Sequence, residues 1–274
     1  MKDLNQLIGL KQMKEEIKTL INLIKVQQTR MERGLKSVSI NKHLVFTGNP
    51  GTGKTTVARL LGKIYKELGV LDKGHVVEVD REKLVAGYTG QTAIKTSELI
   101  EEAMGGILFI DEAYSLVDDS FGQEAIATIL TRMENHKDEF VLIVAGYPNK
   151  MEEFLKSNEG LASRFNKFIH FEDYTGEELV QIFKKFCKDG DYVLEKEADG
   201  LLKEYTKQLY NNRNDVFSNG RTMRNLFETT VMKQANRIVI FIEDEEVENK
   251  VLKQIIVEDL PFSNKEGVIR NKAM

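Results

Sequence analysis

The 274-residue sequence has no tryptophan, one cysteine, three prolines and four histidines. A single cysteine cannot close an internal disulfide, so the core alone has to hold the fold, as in the reducing cytosol. Cys187 falls in the pattern Leu179, Ile182, Phe183, Phe186, which predicts a small buried side chain rather than a nucleophile or a ligand. His43, His75, His136 and His170 are scattered without ligand spacing, which leaves no protein-built metal centre. So few prolines argue against long disordered linkers. No apolar run approaches the ~20 residues of a membrane span, and Met1 to Lys11 lacks the apolar core of a signal peptide. The sequence therefore predicts a soluble, cytoplasmic protein without a membrane partner. A net charge of −4 argues against an extended nucleic-acid footprint, while leaving a local basic patch open. Neither H-E-x-x-H nor G-x-S-x-G occurs, so no protease constellation is present.

What is present is an alternation of short apolar runs with helical patterns. With 41% apolar residues there is enough to bury a substantial core. His43–Phe46, Val76–Val79, Ile107–Ile110, Val141–Ala145 and Phe168–Phe171 read as strands. Apolar positions at helical spacing start at Leu10 and end near Gly34; further helices are expected over about Thr55–Tyr65, Ala93–Met104 and Gln123–His136. Strands of this kind between such helices predict an α/β fold, a five-stranded parallel sheet with helices on both faces. After Tyr174 the pattern turns helical, through Leu179–Phe186, Leu201–Leu209 and Leu226–Ala235, and predicts a separate, small all-helical unit. Ile238–Ile242 could be strand or helix by periodicity alone. The expected division is 1–173, 174–262 and a loose tail at 263–274. Lys36 to Lys42 and the Asn211–Asn219 loop are expected to be exposed.

Two motifs carry chemistry. Gly48 to Thr55 read G-N-P-G-T-G-K-T, a complete G-x-x-x-x-G-K-[ST] loop between a strand and a helix. Its glycines let backbone N–H groups close around phosphates, Lys54 places a cation against the β/γ-phosphates, Thr55 offers Mg²⁺ a hydroxyl, and the helix points its positive end at the anion. Asn49, Pro50, Gly51, Thr52, Gly53, Lys54, Thr55 and Thr56 are thus the expected nucleotide-binding set for ATP, and the sheet is that of a P-loop NTPase. The second motif is I-L-F-I-D-E-A, Ile107 to Ala113, which sets two carboxylates where a buried strand emerges. Asp111 is the candidate holder of Mg²⁺, beside Thr55. Glu112 is the candidate base for a water attacking the γ-phosphate.

The order G-N-P-G-T-G-K-T, L-F-I-D-E-A, A-G-Y-P-N, S-R-F and G-R-T-M-R-N resembles an AAA+ ATPase from Leu4 to Leu260. Y-T-G-Q-T-A-I-K-T, G-G-I-L-F-I-D-E-A-Y-S-L and N-G-R-T-M-R-N-L-F-E narrow the resemblance to the subgroup containing stage V sporulation protein K and the red-type Rubisco activase. The resemblance implies that the second unit is a lid over the nucleotide and that Ile8 and Gly9 flank adenine. It implies a γ-phosphate sensor at Tyr147 or Asn149, an arginine finger at Arg164 reaching the neighbouring subunit's nucleotide, and a second sensor at Arg221. Arg224, one turn on, either shares that task or is a structural partner. Tyr88, close to Gly87 and Gly90, takes the place of the pore-loop aromatic that grips a polypeptide.

Together these expectations describe an ATP-hydrolysing ring motor, a homohexamer by resemblance, that remodels or threads an unidentified protein and is linked to sporulation through a relative. An ATP-gated binding scaffold and a nucleic-acid-dependent NTPase remain alternatives. The overall acidity and the aromatic pore candidate speak against the second.

Overall fold

The computed structural model describes residues 2–38, 40–88, 90–214, 217–242 and 248–263, and of the side chains at 241 and 242 nothing is described. The chain divides into two compact units, Met1–Glu172 and Asp173–Met274, each described by itself. The tail expected at 263–274 lies, apart from Ser263, outside the described residues.

In the first unit, helices α1 (Lys2–Gln6) and α2 (Lys11–Glu32) precede strand β1 (Leu44–Gly48), which leads through the phosphate loop into α3 (Lys54–Glu67). Then follow β2 (Val76–Val79), the short α4 (Arg81–Leu84), α5 (Gln91–Glu102), β3 (Ile107–Ile110), a 3-10 turn at Ala113–Val117 and α6 (Ser120–Asn135). β4 (Val141–Gly146), α7 (Pro148–Lys156), α8 (Glu159–Arg164) and β5 (Phe168–Phe171) complete it. The five strands pair in the order β2-β3-β4-β1-β5, all parallel.

Strand position decides strand composition. Central β3 and β4 are buried at every residue and read as unbroken apolar runs, whereas edge strands β2 and β5 alternate between buried and more exposed positions. One sheet face, with Val45, Val79, Leu108, Ile110, Leu142 and Val144, packs into a core shared with Ile100 of α5, Ile126 and Ile129 of α6 and Met151 and Phe154 of α7. On the opposite face α3 crosses β3 so closely that a Cβ at Gly62 would lie 3.4 Å from Ile107 Cδ1 and against the carbonyl of Gly74. Helix α6 begins where the Asp119 carboxylate accepts from Gly122 N at 2.9 Å, an N-cap that satisfies one orphan donor.

The second unit is built on α9 (Gly176–Asp189), α10 (Lys196–Asn211), α11 (Asn219–Ile242) and α12 (Asn249–Lys253). Thr175 and Glu178 form a reciprocal capping box that fixes the start of α9. Phe183, Phe186, Tyr192 and Phe227 make an aromatic cluster with centroids 5.7–5.9 Å apart. Two expectations are corrected and one open reading is settled. The unit is not purely helical, because Val193–Leu194 (β6) pairs in parallel with Gln254–Ile255 (β7). Ile238–Ile242 is helical, since α11 runs through it without a break. Asn219, at the end of a loop expected to be exposed, is fully buried: its Oδ1 accepts from Tyr174 N at 2.9 Å and its Nδ2 donates to Asp173 Oδ1 at 2.7 Å. An amide that satisfies backbone and carboxylate together can be buried without penalty.

Candidate active site

Parallel register brings the ends of β1, β3 and β4 to one edge of the sheet, with Thr47 beside Gly146 and Ile110 beside Val144. The phosphate loop starts at Gly48, whose φ of +146° is open to glycine and little else. A Cβ there would also sit 2.9 Å from Phe171 Cβ and closer still to its carbonyl oxygen. The loop continues through Gly51 and Gly53 at φ +72° and +95°, and Gly53 is the N-cap of α3. No side chain caps that helix, so its first N–H groups and positive dipole end serve the loop. Thr52 is fully buried and its Oγ1 donates to Asn49 O at 2.8 Å. Lys54 Nζ donates to Gly48 O at 2.7 Å and Asn49 O at 2.9 Å, which seats the ammonium against the loop's own carbonyls. The cradle fits a polyphosphate: backbone donors, a helix terminus and one cation converge where no side-chain carbon intrudes.

At the end of β3, Asp111 N donates to Val79 O at 2.9 Å. Glu112 then turns into the left-handed region, φ 48° and ψ 41°, a conformation that costs a non-glycine residue on the order of 1–2 kcal/mol. Ser115 holds the turn, donating to Glu112 O from both its N (2.9 Å) and its Oγ (2.7 Å). The result places Thr55, Asp111, Glu112 and Ser115 along one open cleft of about 580 Å³ that Glu78 to Lys83 also line. Thr55 and Asp111, distant in sequence, thus line the same cleft and offer the hard oxygen donors that Mg²⁺ takes.

Tyr147, the N-cap residue of α7, has its ring centroid 6.1 Å from that of Tyr114, two residues beyond Glu112. Asn149 lies exposed in the first turn of α7. Arg164 ends α8, donating to Glu134 Oε2 at 3.0 Å and to Gly160 O at 3.3 Å, an ion pair within the chain. Tyr88 is 74% exposed on a loop whose foot is tied down by Ala86 N donating to Thr92 Oγ1 at 3.0 Å and Lys95 Nζ donating to Val85 O at 2.8 Å. Ile8 and Gly9 are half-buried between α1, which packs on α3, and α2. In the second unit Arg221 is exposed in the first turn of α11, whereas the Arg224 guanidinium sits 5.1 Å over Phe186 and is a packing partner there.

Tyr114 is the site residue that sequence reasoning missed. Its only signal is its place inside A-Y-S-L, because nothing in periodicity tells which neighbour of the carboxylates packs its ring against the start of α7.

A model of the ATPase family associated with various cellular activities (AAA) matches residues 44–173, and an AAA lid-domain model matches 175–268. Stage V sporulation protein K of Bacillus subtilis (strain 168) is 46% identical over 243 residues, spanning 87% of this chain and 76% of that protein. The chain is an AAA+ ATPase. The chloroplastic ribulose bisphosphate carboxylase/oxygenase activase of Cyanidioschyzon merolae is 43% identical over 237 residues, 85% of this chain and 80% of that one. In architecture the AAA+ ATPase resembles the crystal structure of the FIGL-1 AAA domain in complex with ADP, at a TM-score of 0.63 and 18% identity over 94% of this chain and 82% of that one. The family's reaction, ATP and water to ADP and phosphate, is therefore this protein's. No described helix is long and apolar enough to cross a membrane.

Proposed function

We propose that this AAA+ ATPase is a cytoplasmic ring motor, a homohexamer, that uses ATP hydrolysis to pull or remodel a protein through a central pore, and that its process is sporulation. Tyr88 carries the reading: an aromatic 74% exposed, on a loop firmly anchored at its base, suits a grip on passing polypeptide and has no packing role of its own. The 46% identity to stage V sporulation protein K supports the assignment of process.

In this reading Ile8 and Gly9 flank the adenine, and the loop from Asn49 to Thr56 holds the phosphates. Lys54 moves from the loop carbonyls to the β/γ-phosphates. Thr55 and Asp111 hold Mg²⁺, which supplies charge neutralisation across the phosphate oxygens. Glu112 accepts the proton of the attacking water. Tyr147 or Asn149 registers the γ-phosphate, and Arg221 of the lid registers the nucleotide. Arg164 exchanges Glu134 for the γ-phosphate of the neighbouring subunit, a contribution worth several powers of ten in rate.

The test is subunit mixing. Glu112→Gln and Arg164→Ala are each expected to be inactive alone, and wild-type ATPase activity per subunit to rise steeply with protein concentration. Mixed together, Arg164→Ala subunits keep an intact Glu112 and receive Arg164 from Glu112→Gln neighbours, so activity returns. Absence of rescue, with a monomeric species and a rate flat in concentration, would refute the ring. Tyr88→Ala separates motor from scaffold: it should retain ATPase activity and lose processing of an unfolded reporter protein.

A further inference from the structure

Glu112 stands in the left-handed region, a conformation that persists only where the surrounding structure holds it. Part of that hold comes from the 3-10 turn that follows, with Ala113 and Leu116 buried in the core and Ser115 donating twice to Glu112 O. A further part comes from α4. Arg81, its first residue, donates from Nε to Ser115 O at 3.1 Å and from Nη2 to the Asp119 carboxylate. The other oxygen of that carboxylate caps α6. One guanidinium thus grips the chain within the turn and again just past its end, and its planar fork does what a single ammonium does not. Arg81 also lines the cleft together with Thr55, Asp111 and Glu112.

Helix α4 is in turn locked to α5. Lys95 Nζ donates to Glu82 O and to Val85 O, both at 2.8 Å, and Thr96 Oγ1 donates to Leu84 O at 3.3 Å. Asp80 caps the start of α4 by accepting from Lys83 N at 3.0 Å. From Val85 the chain runs on through Gly87 to the exposed Tyr88. The side chain that grips the Glu112 turn therefore belongs to the same short helix that ends at the foot of the Tyr88 loop.

We propose that Arg81 is a positioning residue for the reaction: its fork holds the turn that presents Glu112, and α4 connects that hold to the foot of the Tyr88 loop. The inference rests on Glu112 being the base.

The test is Arg81→Met, which keeps an apolar stem and removes the fork. The expected result is a kcat lower by about tenfold, with the dissociation constant of a fluorescent ATP analogue unchanged within about twofold, because the phosphate loop is untouched. Arg81→Lys keeps the charge beside Asp119 and loses the fork; it should fold like wild type and still fall at least about threefold below it in kcat, so it decides the matter if Arg81→Met does not fold. Placed on Glu112→Gln, Arg81→Met should change residual single-turnover hydrolysis by less than about twofold. Lys95→Met, which frees the end of α4 from α5, should lower kcat about two- to threefold in the wild type and leave it unchanged in Arg81→Met. A wild-type kcat in Arg81→Met or Arg81→Lys, a loss that persists on Glu112→Gln, or weakened ATP affinity in place of a lowered kcat overturns the positioning role. A Lys95→Met loss that is absent from wild type, or equal in both backgrounds, overturns the link to the loop. Full activity in Glu112→Gln alone would instead overturn the assignment of Glu112 as base.

Discussion

His43, at the entrance to β1, should make this protein sensitive to mild acid. Its ring is buried beside Phe140 and Phe165, and its Nδ1 accepts from Leu142 N of β4 at 3.0 Å, a bond that only the neutral ring can accept. Burial first, then the charge of Lys42 and more weakly Arg164, lower its pKa from 6.5 to about 4, with Asp138 opposing. The folded pKa is depressed below the unfolded one, so the unfolded chain binds the extra proton in between. The contribution is complete above pH 6.5 and falls away as pH drops toward 4, by ~1.4 kcal/mol per unit. Between pH 7.5 and 5.0 the loss from this group is about 2 kcal/mol, and about 3 kcal/mol by pH 4. The assay compares wild type with His43→Gln, whose amide oxygen still accepts from Leu142 N but does not titrate. Urea unfolding of the first unit at the two pH values should show wild type losing about 2 kcal/mol more than the variant. Equal losses, or an imidazole titrating near 6.5 by NMR, would refute the reasoning.

Gly48→Ala sets a Cβ against Phe171 at φ +146°, so strain and overpacking together should cost about 2–5 kcal/mol and uncouple β5 from β1. Thermal melting and ATP titration should both register it; an unaltered melting temperature with unaltered affinity would contradict the account. In the second unit Asp259, 1% exposed, takes Arg237 in a fork at 2.8 and 2.9 Å and also accepts from Ile256 N at 2.9 Å. Asp259→Ala leaves the Ile256 N–H unpaired and the partly buried Arg237 guanidinium with only Gln254 O, at 3.1 Å, in place of a counter-charge, a loss of about 3–5 kcal/mol, readable as early protease cleavage within residues 173–262 while the first unit stays intact. A loss below about 1 kcal/mol would show that water replaces the carboxylate.

Chemistry written contiguously was legible in the sequence. The phosphate loop and the Asp111–Glu112 pair are contiguous strings that lie where the sequence put them, after β1 and after β3, and Ile107–Ile110 was readable as a central strand because all four residues are apolar. Limits were harder to read: β1 extends past Phe46 to Gly48, since Thr47 and Gly48 pair with β4 and β5 although neither looks like strand core. The β6–β7 pair was invisible, because two residues cannot display alternation and the partners lie far apart in the chain. Asn219, Tyr114 and Glu134 escaped for a common reason. Each matters through a partner fixed by tertiary structure, the Tyr174 backbone, the Tyr147 ring and the Arg164 guanidinium respectively, and no local pattern encodes such a partner.

With Glu112 as the base proposed above, its left-handed backbone sets thermostability against turnover. Glycine would occupy that φ and ψ with less strain, so a selection for heat resistance alone should drift toward Glu112→Gly and deliver robust proteins that no longer turn over. Any engineering campaign on this scaffold therefore needs activity and melting temperature screened together, with this position held fixed.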